Sequence, residues 1–363
     1  MKFAGFEKGM GIGGWLTNYK RFNVLPEEIR LDLTIGDEEH FKTYITERDV
    51  KYIADLGMDH IRLGFDQIVL EEAPGVYRPW VFEIIDDFIG WCEKYHLNVI
   101  LNLHKAVGNY CDIPEKVQLL DDAGLQERFI ALWLAFEKRY HEKKGIVFEI
   151  LNEVRDVDAE KWNTLAENTI AAIRKENETR YIMVGSTNWN DPGTLKDMKL
   201  FDDPYVVYTF HIYAPFEFTH QQGVLQYKTL YYNRKMEYPA PVKKYREYEE
   251  CWGIPAEESA YQGFENIDIA YMRHALQGAA DFVKAHPDKI LTCGEFGTIK
   301  HIPIEYRENY MRDVITICKE NDISYCVWNY MSTPNDGNNF SLVDEYKREL
   351  FSEELHRVIL GKR

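Results

Sequence analysis

The sequence predicts an α/β fold, a (β/α)8 TIM barrel with a subdomain inserted between strand 6 and helix 6. Eight short apolar runs alternate, for the most part, with amphipathic stretches, as parallel strands alternate with crossover helices. Several runs stop abruptly in polar residues, which is how a strand buried along both faces reads where it reaches a rim. A third feature is the interval 214–267, too long and too rich in aromatics to be a simple connection. A doubly wound open sheet is the structural alternative, but it gives no reason for polar residues at so many strand ends.

The elements follow in order. Gly9-Met-Gly-Ile-Gly-Gly14-Trp15 contains Gly-x-Gly-x-x-Gly, the dinucleotide fingerprint. That fingerprint counts only between a strand and an immediate helix, and the continuation through Asn18 and Arg21 to Pro26 is no helix. The better reading is a glycine-rich first strand, whose missing side chains let substrate or another backbone come close. Thr46-Glu-Arg-Asp49 is a capping box opening a helix to Leu56, stopped by Gly57. His60-Ile-Arg62-Leu-Gly-Phe65 is strand two, and a long helix runs from Pro79 to about Tyr95. Asn98 to His104 is strand three, Leu125 to Tyr140 a helix, and Ile146 to Leu151 strand four. A helix from Ala159 to Glu176 precedes strand five, Tyr181 to Gly185. Strand six, Tyr205 to Phe210, ends in His211-Ile-Tyr213. After the interval, a helix spans Asp268 to Ala285, strand seven Ile290 to Cys293, a helix Tyr306 to Asn321, and strand eight Ser324 to Trp328. Glu353 to Leu360 closes the chain. Residues 1–363 thus read as a single catalytic barrel, with 214–267 an aromatic-rich subdomain inside it.

Charge narrows the partners. A formal net charge of -17 argues against nucleic acid and against an anionic membrane, both of which are bound through basic patches. A neutral β-linked polysaccharide or oligosaccharide is compatible with it. The 24 Tyr and 8 Trp supply flat faces with polar rims, suited to sugar rings and equally to ordinary cores. Six cysteines show no Cys-x-x-Cys, and Cys92, Cys293, Cys318 and Cys326 sit in apolar patterns as free structural thiols. The N-terminus lacks a signal-peptide core, and no run of 18 apolar residues occurs. A soluble chain is expected, cytoplasmic or the trimmed catalytic part of an exported protein.

Chemistry concentrates at the strand ends: Arg62, His104, Asn152, Glu153, His211, Tyr213, Glu295 and Trp328. Each alone has an ordinary explanation, since most Glu are solvated and most strand-end His are structural. Collected on one face of one barrel they make a site. Glu153 and Glu295, 142 residues apart, each end a short apolar run. Two glutamates facing one cleft are what hydrolysis of a glycosidic bond requires, one protonated and one ionised. Arg62 and the histidines are candidates to hold the second carboxylate charged, Tyr213 to donate its hydroxyl there, and Asn152 to hold a sugar 2-hydroxyl. Glu149 shares strand parity with Glu153 but lies below the rim, so it reads as structural, with Arg62 as its partner. Trp189, just past strand five, is a candidate sugar platform. A catalytic metal on His104, His211 and the carboxylates is weighed and set aside for want of helical His spacing. The Gly-x-Ser-x-Gly elbow is absent, and Cys293 sits too deep in an apolar strand to be a nucleophile. No cofactor is expected.

At Asn152-Glu153 and Glu295 the sequence resembles glycoside hydrolase family 5, and in particular its small bacterial endoglucanases. The resemblance runs from Gly13-Gly14-Trp15 through His60-Ile-Arg62, Leu103-His104, Ile150-Leu-Asn-Glu153, His211-Ile-Tyr213 and Cys293-Gly-Glu-Phe-Gly297 to Val327-Trp328-Asn329. It implies a retaining barrel glycosidase that cleaves β-1,4-glucosidic bonds without a cofactor. It further implies Glu153 as acid/base and Glu295 as nucleophile, with Arg62, His104, Asn152, His211, Tyr213 and Trp328 completing the site. Asn-Glu-Val154 stands where many relatives have Asn-Glu-Pro. The expected function is an endo-β-1,4-glucanase. β-Mannanase, mixed-linkage glucanase and exo-β-glucanase are enzyme alternatives, and a sugar-binding barrel without catalysis is the non-enzyme alternative. The interval 214–267 is expected to wall the cleft, with Trp252 or a tyrosine stacking on a sugar, or else merely to pack on itself.

Overall fold

The structure, a computed structural model, describes residues 1–17, 35–110, 117–155, 157–333 and 336–362. The stretch 18–26, read above as non-helical, and Cys111 lie outside the described residues.

Eight strands close a barrel: β1 (Lys8–Leu16), β2 (His60–Asp66), β3 (Asn98–Lys105), β4 (Ile146–Glu149), β5 (Ile182–Gly185), β6 (Val206–Ile212), β7 (Ile290–Phe296) and β8 (Ser324–Val327). They run round in chain order, and β8 meets β1 in parallel, Met10 opposite Val327. Helices cover the outside by burying one stripe each. The helix Pro79–Lys94 buries Val81, Phe82, Ile85, Phe88, Ile89 and Cys92, a spacing that repeats every three or four residues. Each such side chain contributes roughly 1.5–3 kcal/mol when taken from water. The barrel floor has its own plug. Phe3 and Phe6 stack at 4.4 Å and pack against Ile100, Val147, Met183, Val207 and Ile290 at the N-terminal halves of the strands. The opposite end is left to the polar residues.

Local signals mostly act as their chemistry requires. Asp49 accepts from the Thr46 backbone N–H at 2.9 Å and from its hydroxyl at 2.7 Å, opening the helix Glu47–Asp55. Gly57, with φ at +84°, turns the chain away. The expected helix from Asp268 to Ala285 is in fact two, Ile269–Ala275 and Gln277–Ala285. The break brings Gly278 against the Pro192 carbonyl oxygen, where a Cβ would stand only 2.2 Å away. β4 stops at Glu149 rather than Leu151, while β6 and β7 extend to Ile212 and Phe296, so His211 and Glu295 lie within the sheet. The glycines of β1 make room for an indole, and a Cβ on Gly11 would also stand 3.3 Å from the Val327 backbone oxygen, the close approach of another backbone that was expected. A Cβ on Gly11 would lie 2.7 Å from the Trp328 ring, and one on Gly13 2.6 Å from it.

Residues 214–267 lie between β6 and its helices. They contain helices Phe216–Thr219, Tyr227–Tyr232 and Val242–Cys251, and an antiparallel pair of Ala240–Pro241 with Asn266–Ile267. Tyr238, Tyr245 and Tyr261 are buried there, whereas Tyr227 and Tyr231 are 61% and 75% exposed. Trp252 stands edge-on to Tyr227 at 5.7 Å. Among the described residues, no helix is long and apolar enough to cross a membrane.

Candidate active site

The site is built around Arg62, wholly buried in the middle of β2. Its Nε and Nη2 bind the two oxygens of Glu149 at 2.5 and 2.8 Å. Nη2 also donates to Asn152 Oδ1 at 2.7 Å, and Nη1 makes a close ion pair with Glu295 Oε1. One guanidinium thus ties β2 to β4 and β7. A fixed planar fork does this where a lysine could not.

Glu295 needs a local irregularity to arrive. The β7–β6 register slips between Cys293 and Glu295, which places Glu295 opposite His211. Such a slip re-aims a side chain. Gly294 makes it possible, because a Cβ there would lie 2.6 Å from Thr209 Oγ1 and 3.1 Å from His211 Nε2. Tyr213 donates its hydroxyl to Glu295 Oε2 at 2.9 Å. Burial pushes the tyrosine well above its ordinary pKa, with the charge of Glu295 adding to the effect, so the hydroxyl keeps its proton. Burial also raises Glu295, and the nearby Glu153 charge adds, while His211 and Arg62 oppose. The hydrogen bonds from Arg62 and Tyr213 to Glu295 are stronger to its ionised form than to its neutral one.

Glu153 follows β4 on backbone with φ at +33°, a strained setting for a non-glycine residue of the kind found at active sites. His211 Nδ1 lies 3.0 Å from Glu153 Oε1 and 3.8 Å from Glu295 Oε2. A carboxylate oxygen of each glutamate and a ring nitrogen of His211 all fall within 4.8 Å of one another. Among the described residues this is the one trio able to converge on a metal ion, but the Arg62 cation already neutralises Glu295 there. Burial drives His211 down to about 4, with Glu295 opposing and Arg62 adding, so the ring is neutral near pH 7.

His104 stacks flat on Trp328, ring centroids 5.3 Å apart and planes 10° off parallel. Its Nδ1 lies 2.9 Å from Asn102 Oδ1, two residues back on the same face of β3. With the Asn102 amide oxygen toward the ring, the contact is made by a proton on Nδ1. Burial first, then the charges of Arg62 and Lys105, hold His104 well below its ordinary pKa. Trp189 stands further out, 40% exposed, with the Arg155 guanidinium 6.0 Å from its ring centre. The two help line a cavity of about 290 Å³ with Leu120, Val157, Asp158 and Lys161. Cys293 is buried and its thiol is pushed far up by desolvation, in keeping with an inert role.

Arg62, Asn152, Glu153, His211, Tyr213 and Glu295 therefore form one bonded set, His104 and Trp328 lie beside it, and Trp189 lies apart. Glu149 is the buried partner of Arg62, as its depth in β4 suggested. Asn102 and Asn190 were missed. Asn102 could have been found from its parity with His104; Asn190, whose Nδ2 is 3.2 Å from His211 Nε2, carries no sequence signal.

Residues 28–333 match the sequence model described as cellulase, glycosyl hydrolase family 5. Endoglucanase C of Acetivibrio thermocellus is 34% identical over 363 residues, 99% of each chain. Cellodextrinase A of Ruminococcus flavefaciens is 34% identical over 332 residues, covering 89% of this chain and 85% of its own length. Among solved structures, endoglucanase Cel5A of Thermotoga maritima superposes with a TM-score of 0.73 at 21% identity, covering 98% of this chain and 97% of its own.

Proposed function

The chain belongs to glycosyl hydrolase family 5 and is a glycoside hydrolase, and from that premise we propose that it is a retaining endo-β-1,4-glucanase acting by double displacement. In this reading Glu295 is the nucleophile and Glu153 the acid/base. The observation that carries it is the separation of the two carboxylates, with oxygens within 4.8 Å. A retaining pair stands about 5–5.5 Å apart, whereas an inverting pair needs about 6.5–9.5 Å to seat a water between base and sugar.

In the first step Glu295 Oε attacks the anomeric carbon while Glu153 passes its proton to the departing glycosidic oxygen. The product is a glycosyl ester on Glu295, and Glu153 is left ionised. In the second step Glu153 removes a proton from water as that water attacks the same carbon, which frees Glu295 and returns the proton to Glu153. Arg62 and Tyr213 hold Glu295 ionised and aimed before attack, so little reorganisation is needed in the barrier. Asn152, whose Oδ1 is fixed by Arg62 beside Glu295, is the side chain set to meet the sugar 2-hydroxyl, with His104 next to it. Trp189 is the platform for a sugar on the leaving-group side, next to the chain that carries Glu153.

The test is product stereochemistry and mutagenesis together. Proton NMR of early products from cello-oligosaccharides should show the β-anomer first. Glu295→Gln should lose turnover of carboxymethyl-cellulose and of aryl cellobiosides alike. Glu153→Gln should lose about 10²–10⁴-fold on the polymer but much less on aryl glycosides with good leaving groups. First formation of the α-anomer would remove the double displacement. The alternative, an exo-β-glucanase on the same two glutamates, is tested by the same product series. Release of cellobiose alone from every chain length would favour it over the endo reading.

A further inference from the structure

Asn188, Trp189 and Asn190 follow one another at the end of β5 with φ of 54°, 58° and 59°. None is glycine, and left-handed backbone costs an L-residue about 1–2 kcal/mol, less for Asn. Three in succession persist only where the surroundings hold them. The Trp189 N–H donates to Val154 O at 2.8 Å and the Asn188 N–H to Arg155 O at 3.3 Å, which stitches the turn to the chain just after Glu153. Ser186 Oγ donates to Asp191 O at 2.9 Å across its base. The turn delivers one buried side chain inward, Asn190, whose Nδ2 meets His211 Nε2 at 3.2 Å. Gly185 leaves the room, since a Cβ there would lie 2.5 Å from Asn190 Oδ1.

A neutral imidazole carries one proton, and the other ring nitrogen is then an acceptor. With the Asn190 amide as it stands, Nδ2 toward the ring, two arrangements are open to His211. With the proton on Nδ1, an N–H faces the carboxylates of Glu153 and Glu295, and Nε2 accepts from the Asn190 amide. With the proton on Nε2, that N–H would face the amide N–H, and a basic lone pair would sit 3.0 Å from the Glu153 oxygen. The second arrangement also offers a competing base to the residue that must deliver its proton to the leaving group.

We propose that Asn190 is a positioning residue: by donating to Nε2 it holds His211 as the Nδ1–H tautomer and fixes a donor between Glu153 and Glu295. This rests on those two glutamates being the catalytic pair. The charged or titratable groups that act on His211 are Glu153 and Glu149 from β4 and the turn after it, Glu295 on β7, Arg62 on β2 and His104 on β3. None of them reaches Nε2 in place of the amide.

The test uses the full chain labelled with ¹⁵N-histidine, the His211 signals being those lost in His211→Gln. At neutral pH the wild type should show a protonated Nδ1 and an unprotonated Nε2. Asn190→Asp, equal in size but only an acceptor, should move the proton to Nε2 or leave both nitrogens protonated. It should lower kcat on an aryl cellobioside by about 10- to 100-fold with KM within about threefold, and change the shape of the pH profile. Asn190→Ala, with its thermal midpoint recorded, should leave a mixture of tautomers. A wild-type His211 protonated at Nε2 overturns the proposal. So does an Asn190→Asp enzyme with the wild-type tautomer and wild-type kcat. The nitrogen spectra need no substrate, so inverted products from the wild type would undo the catalytic assignment without touching the tautomer.

Discussion

The guanidinium of Arg62 and the carboxylate of Glu149, both wholly buried, are joined by two parallel hydrogen bonds of 2.5 and 2.8 Å. Their pairing leaves Nη1 aimed at Glu295. Taking away one member of a buried pair leaves the other uncompensated, at a cost of about 3–5 kcal/mol. Glu149→Gln should lose roughly that much in urea unfolding, and kcat should fall with it because the guanidinium is no longer aimed. A loss below about 1 kcal/mol, in the range of exposed pairs, would show that the pair neither holds the barrel nor sets the fork.

Burial raises the pKa of Glu295 above its ordinary value, while His211 and Arg62 oppose the rise. A carboxyl raised on folding contributes stability that is fully present below its unfolded value, about 4.3, and is lost as pH rises through the folded value. Glu295→Gln carries no such charge. Its thermal midpoint should match the wild type in acid and exceed it increasingly above about pH 4.3. Scanning calorimetry across pH 4–8 checks the sign. A mutant less stable at pH 7 than at pH 4, relative to wild type, would contradict it. By the same shift, the acid limb of kcat/KM should lie above the ordinary glutamate range.

Gly13 has ordinary backbone, so only the space its missing side chain leaves is at issue. A Cβ would lie 2.6 Å from the Trp328 indole and 2.9 Å from Asn329 Nδ2. Gly13→Ala should displace Trp328 from its stack on His104, lower kcat/KM about tenfold or more, and cost about 1–3 kcal/mol. Gly90→Ala is the control. Nothing stands within 4 Å of that helical position, so it should gain about 0.5–1 kcal/mol and leave activity alone.

The aromatics of 214–267 divide by exposure. Tyr238, Tyr245 and Tyr261 are buried, and Tyr238 ties the segment to the helix Ile304–Glu320 by donating its hydroxyl to Asp313 at 2.7 Å. Tyr227 and Tyr231 face outward, and Trp252 supports Tyr227 edge-on. If the segment supplies a distal sugar subsite, Tyr227→Ala with Tyr231→Ala should raise KM for long glucans about 10-fold, the two rings together contributing about 1–3 kcal/mol of stacking. Aryl cellobioside turnover should not change. An unchanged ratio of the two activities would leave these tyrosines without a role in binding.

The sequence by itself determined the barrel and most of the polar side chains that gather at one end of it. Apolar runs ending in Arg, His, Asn or Glu report burial on both faces and a polar rim, and both features are local to the chain. His104, Asn152, Glu153, His211 and Glu295 could be read for that reason, whereas Arg62, expected at a strand end, stands in the middle of β2 and meets Glu149 below the rim. Tertiary structure alone decided the rest. The slip at Gly294 that turns Glu295 toward His211, the indole lying over Gly11 and Gly13, and the left-handed turn that carries Asn190 inward leave no periodic trace. Each depends on which side chain from a distant strand fills a given space, and a contact between residues far apart in the chain has no signature in the residues beside either one.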